Sequence, residues 1–139
     1  MIRSAIADTG PLVAYLDRGE AHHDRTVARF KELEAPVLVC EAVLTEAMFL
    51  LRGSYRAQDE LFGMLHSGAL RLAFALAPER EAVRALRRKY ADVPMSLADA
   101  CLVRMAELHD RYAVFTLDAD FAVYRKHGNQ PIPLVGKGP

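Results

Sequence analysis

The sequence lacks most of the features that would assign a protein at sight. Cysteine is scarce: Cys40 and Cys101 are the only two in 139 residues. They stand far apart in apolar surroundings, which excludes a disulfide framework or a CxxC site and fits reduced core thiols. Neither sign of charge dominates. Eighteen basic side chains oppose 18 acidic ones for a formal net charge of zero, which argues against gross attraction to nucleic acid but says nothing about where each sign lies. No uncharged run approaches the roughly 18 residues that cross a bilayer. Residues 1–17 lack the basic start and long apolar centre of a secretion signal. The expectation is a soluble cytoplasmic protein without a membrane segment. No repeat, low-complexity tract or linker divides the chain, and no His/Cys spacing suits zinc; the pair His22-His23 lies on a polar segment and reads as solvated.

What is present is a hydrophobic content of 52%, enough for a chain of this length to bury roughly 68% of its unfolded surface without staples. One domain over residues 1–139 is expected. Short apolar runs alternate with helical patterns. Residues 4–7 read as a strand ending at Asp8, with Pro11 opening a helix through Leu16. A polar helix over 24–33 precedes a buried strand over 35–40. Helices over 41–51 and 56–66 are separated by Gly53-Ser54, and Gly68 introduces a strand over 70–76. Pro78 opens a helix to Tyr90, Ser96 heads another to His109, and residues 112–117 form a fourth strand. A short helix through Phe121 and Tyr124 leads to a fifth strand over 132–135. This alternation predicts an α/β fold with a central parallel sheet of four to five strands and helices on both faces. Ligands of such sheets sit beyond the carboxyl ends of the strands, where strand order reverses.

Carboxylates mark those ends. Asp8 closes the first strand and Asp118 follows the fourth, although a turn residue and a helix N-cap account for each alone. Glu46 is placed by its helix. With Glu41 at zero, Thr45 and Arg52 define a polar face between about 20° and 40°, while Glu46 falls at about 140°, among Ala42, Val43, Phe49 and Leu50. A carboxylate within an apolar face should be paired or metal-bound. Asp99 leans the same way, at about 200° beside Leu102, Val103 and Ala106, when Arg104, Glu107 and Arg111 cluster at about 310°. It also completes a capping-box spacing with Ser96, so capping and metal binding both remain open. Several carboxylates brought together cannot all stay ionised without a cation, and an all-oxygen set suits Mg²⁺ or Mn²⁺.

With these residues the sequence resembles the PIN-domain ribonucleases, particularly the VapC toxins of bacterial toxin–antitoxin pairs. The resemblance is carried by Ala7-Asp8-Thr9-Gly10-Pro11-Leu12, Leu44-Thr45-Glu46-Ala47, Ser96-Leu97-Ala98-Asp99-Ala100 and Thr116-Leu117-Asp118-Ala119-Asp120-Phe121, in that order. It implies an acidic quartet of Asp8, Glu46, Asp99 and Asp118, with Asp120 a variable fifth carboxylate and Thr9 and Thr116 lining the site. It further implies a PIN-like fold and hydrolysis of RNA phosphodiesters with Mg²⁺ or Mn²⁺ held by Asp8, Asp99 and Asp118. A small antitoxin partner and a homodimer are implied as well. Two other readings stay open: a metal- or RNA-binding module of the same fold without turnover, and a Mg²⁺-dependent phosphoryl-transfer or phosphoacceptor domain. The second lacks the strand-end Lys and the DxDxT pattern it would need.

A basic stripe completes the inventory. Arg80, Arg84, Arg87 and Arg88 fall within about 100° on one helix, either gripping RNA phosphates or forming a solvated face. Removing the five clustered carboxylates from the 18 acidic residues leaves 13 against 18 basic ones. The balance of zero therefore combines a local negative pocket with a mildly basic remainder.

Overall fold

The computed structural model describes residues 3–136. Its centre is a parallel sheet of β1 (Ala5–Ala7), β2 (Val37–Val39), β3 (Leu70–Leu72) and β4 (Ala113–Phe115) in the order β3-β2-β1-β4. Ile6 pairs with Leu38 on one side and with Val114 on the other. All three residues of β1, β2 and β4 are buried. Successive strand residues point to opposite faces, so burial of every one means that both faces are covered. Connections supply the covering: α1 (Thr9–Leu16) and α2 (His23–Phe30) between β1 and β2, α3 (Glu41–Leu50) and α4 (Tyr55–Ser67) between β2 and β3, and α5 (Leu76–Lys89) and α6 (Leu97–Leu108) between β3 and β4.

The last connection positions the site. The first three strands step outward from β1 to β3, and the chain then crosses back to lay β4 against the free edge of β1. Strand order thus reverses beside β1, and the crevice lies at the carboxyl ends of β1 and β4.

Helix boundaries differ from the sequence expectation at the two prolines expected to open helices. Pro11 and Pro78 each stand third in their helices, which begin at Thr9 and Leu76; proline is tolerated throughout this first turn because those N–H groups have no helical partner. The strand expected over 70–76 accordingly stops at Leu72. The expected fifth strand over 132–135 is reduced to one parallel bridge between Val114 and Leu134. Pro131 and Pro133 flank Ile132, and neither has an N–H for a ladder. In its place the tail forms an unforeseen antiparallel pair, β5 (Arg125–Lys126) and β6 (Gln130–Pro131), turned by His127 and Gly128 at φ 50° and 88°. Cys40 and Cys101 are buried and free, as core thiols should be.

Candidate metal centre in an acidic crevice

Each carboxylate of the crevice is set by a local structure that would form without it being a site. Asp8 leaves β1 in extended conformation and N-caps α1, its Oδ1 accepting from the Thr9 N–H at 2.7 Å. Ser96 caps α6 by accepting from the Asp99 N–H at 3.0 Å, which puts Asp99 in the first helical turn. Asp118 caps a 3-10 turn, Ala119–Ala122, by accepting from the Asp120 N–H at 2.9 Å. Capping and clustering are therefore not rivals here: the folding signals deliver Asp8, Asp99 and Asp118 to one place, with one oxygen from each lying within 4.8 Å of the others.

Hydrogen bonds connect this trio to its supports. The Thr116 hydroxyl donates to Asp8 Oδ2 at 2.8 Å and accepts from the Asp118 N–H at 2.9 Å, tying the ends of β1 and β4 together. The Thr9 hydroxyl donates to Glu46 Oε1 at 2.8 Å, so Glu46 joins the site through Thr9 and stands outside the trio. Its surroundings correct the helical-wheel expectation of a carboxylate packed among apolar groups. Glu46 is exposed: Val43, on one edge of the apolar face, is buried in the core, while Phe49 and Leu50 on the same face are themselves 62% and 56% exposed. Asp120 is half-buried and contributes its backbone N–H to Asp118.

One residue was missed by sequence reasoning. Tyr124, fully buried, donates its hydroxyl to Asp99 Oδ2 at 2.9 Å. The Tyr90 ring packs edge-on against it at 5.1 Å, and Phe121 does so at the same distance. A tyrosine in a short mixed segment gives no periodic signal. Only its hydroxyl, which must find a partner when buried, was available as a hint.

The electrostatics favour a cation. Burial is the largest influence on Asp8 and lifts its pKa from 3.8 to about 6; the Asp99 and Asp118 charges push the same way, against the bonds from Thr116 and Thr9. Burial likewise raises Asp99, opposed chiefly by the Tyr124 hydroxyl, and burial followed by the bond to Asp99 raises the Tyr124 phenol. A buried Asp8, a half-buried Asp99 and an exposed Asp118, with no cationic side chain bonded to them among the described residues, form a hard, all-oxygen donor set that fits a divalent cation.

Arg80, Arg84, Arg87 and Arg88 lie elsewhere. All four are exposed on α5 and line an open groove of about 630 Å³ that reaches Pro94 and Leu97.

Comparison with known proteins agrees with this geometry. The PIN domain family model matches residues 5–127. The chain is 29% identical over 133 residues to Ribonuclease VapC26 of Mycobacterium tuberculosis, covering 94% of each protein. Among solved structures it resembles Mycobacterium tuberculosis VapC20, described as a sarcin–ricin loop cleaving toxin, with a TM-score of 0.77 at 19% identity over 86% of this chain and 94% of that one. It also resembles a chain of a toxin–antitoxin complex from Klebsiella pneumoniae, with a TM-score of 0.63 at 22% identity over 86% and 91%. Among the described residues, no helix is long and apolar enough to cross a membrane.

Proposed function

The chain belongs to the PIN-domain family, and from that premise we propose that it is a divalent-cation-dependent endoribonuclease, the toxin of a toxin–antitoxin pair. The observation that carries the reading is the convergence of Asp8, Asp99 and Asp118 at the switch point of the sheet. These three would hold Mg²⁺, with Mn²⁺ as its substitute. When bound, the cation supplies water activation and neutralises charge on the scissile phosphate.

The protein's own groups do the rest. Thr9 and Thr116 hold both Asp8 oxygens in fixed directions, and Tyr124 does the same for Asp99, so the donor set is organised before substrate arrives. Glu46 Oε1 is engaged by Thr9; its second oxygen accepts a hydrogen bond from the attacking water and orients it. Asp120, through its N–H, fixes the rotamer of Asp118. The products are a 5′-phosphate and a 3′-hydroxyl. A small antitoxin protein restrains the enzyme, in keeping with the likeness to a chain of a toxin–antitoxin complex; residues 1–139 act as one domain, as a homodimer in the cytoplasm.

The test is cleavage of a defined RNA by protein free of contaminating nuclease. Products should appear with Mg²⁺ or Mn²⁺, vanish with chelator, and form far more slowly with Asp8→Asn. Metal binding without cleavage would make the protein a binding module of the same fold.

A further inference from the structure

Four arginines on one wall of a groove have no counterpart in the acidic site. Arg80, Arg84, Arg87 and Arg88 span about 12 Å of α5 at 1.5 Å per residue, and all are exposed. Among the described residues none of them makes an ion pair. Glu79, the acid that precedes them, is occupied by Arg104 of α6 at 2.7 Å. A helix face that is merely solvated usually mixes its charges; here one sign lines a concavity. Two guanidinium groups are oriented by carbonyls, Arg80 donating to Ala77 at 2.6 Å and Arg87 to Met95 at 3.4 Å, which leaves other N–H donors of each unengaged. The floor is apolar at Pro94 and Leu97. Leu97 opens α6, less than one turn from Asp99.

We propose that this groove is a track for single-stranded RNA, with the four arginines on backbone phosphates and base faces resting on Pro94 and Leu97, leading the strand to the crevice at Asp99. The proposal rests on the nuclease reading and extends it to substrate positioning. Phosphate clamps beside an apolar floor are what an unpaired strand requires, because its bases are free to lie against the protein. A rigid duplex would expose only phosphates to such a wall. The competing occupant, an acidic protein segment, would use the arginines but has no bases to lay on Pro94 and Leu97.

The experiment measures binding of a fluorescent, unstructured oligoribonucleotide in chelator, so that affinity is read without cleavage, from 50 to 200 mM salt. Each phosphate contact to a single strand contributes about 0.7 to the slope of log K against log salt. For Arg84→Gln/Arg87→Gln the slope should therefore shrink by about 1.4, and affinity should fall about 60-fold at 50 mM and about 10-fold at 200 mM. Arg84→Lys/Arg87→Lys should retain most of the slope. The charge-matched control Arg18→Gln/Arg71→Gln, at exposed positions that do not line the groove, should leave it unchanged. Equal losses in both glutamine pairs would reduce the effect to net charge and overturn the proposal. So would unchanged RNA binding accompanied by lost binding of a poly-glutamate peptide. Wild-type cleavage undiminished in the groove variant would remove the track while leaving the nuclease reading intact; groove-specific binding with no cleavage by the wild type would do the reverse.

Discussion

The acidic crevice and the arginine groove are both clusters of like charge, yet they are built in opposite ways. The crevice draws its carboxylates from three distant segments, with Thr116 and Asp8 bonded across 108 positions of sequence. Its groups run from buried Asp8 through half-buried Asp99 to exposed Asp118, and all three are hydrogen-bonded. The groove draws its cations from nine consecutive residues of one helix, exposed and without ion pairs among the described residues. Like charges spaced along a helix in water repel weakly. Gathered out of water they shift one another's protonation until something neutralises them. On the proposed reading the crevice suits a small hard ion in a fixed geometry, and the groove an extended polyanion with little geometric demand. A net charge of zero conceals both.

The sharpest way to break this contrast is to remove one carboxylate. Asp8→Asn should lower cation-dependent RNA cleavage by about 100- to 1,000-fold, the range typical for losing one preorganised electrostatic group, while leaving RNA binding in chelator unchanged. Loss of both together would mean that the two regions are one site. The groove variants come next, with the affinity losses given above. Tyr124→Phe should then weaken Mn²⁺ affinity by about 10- to 100-fold, the usual cost of removing an outer support of a metal ligand. Titration with Mn²⁺ checks it, and RNA affinity in chelator should stay constant. Glu46→Gln should have the mildest effect on Mn²⁺ affinity, since the amide oxygen still accepts from Thr9; its loss should fall on turnover.

Stability gives an independent test of the crevice. The pKa of Asp8 in the fold, about 6, lies above its ordinary 3.8, so the folded protein prefers the protonated group. The stabilisation is full below pH 3.8 and is lost as pH rises through 6, a change of about 3 kcal/mol for a shift of this size. In chelator, urea unfolding should show wild type losing stability relative to Asp8→Asn between pH 4 and pH 7. Mn²⁺ at pH 7 should restore the wild type and not the variant.

How much of this was legible in the sequence follows from the range over which each signal acts. Asp8 was legible because a strand end and a helix start coincide there, and the arginine stripe because one helix carries it. Glu46 was singled out by a periodicity that identifies an apolar face but not whether anything covers it, and the exposed Phe49 and Leu50 reverse the inferred burial. The β5–β6 pair was invisible because strands of two residues have no alternation to read. The joining of β1 to β4, which assembles the trio, depends on where the last crossover returns. Local pattern predicts the parallel sheet but not its order. Tyr124 was hidden for a related reason: its role exists only once α6 and the 3-10 turn meet.

Everything proposed for the crevice requires the three carboxylates to form one cation site. An anomalous difference map from crystals soaked in Mn²⁺ tests this directly. The expected result is a peak shared by the carboxylates of Asp8, Asp99 and Asp118 and absent from crystals of Asp8→Asn. A map with no peak in the crevice, or with Mn²⁺ bound only at other surface carboxylates, would contradict it.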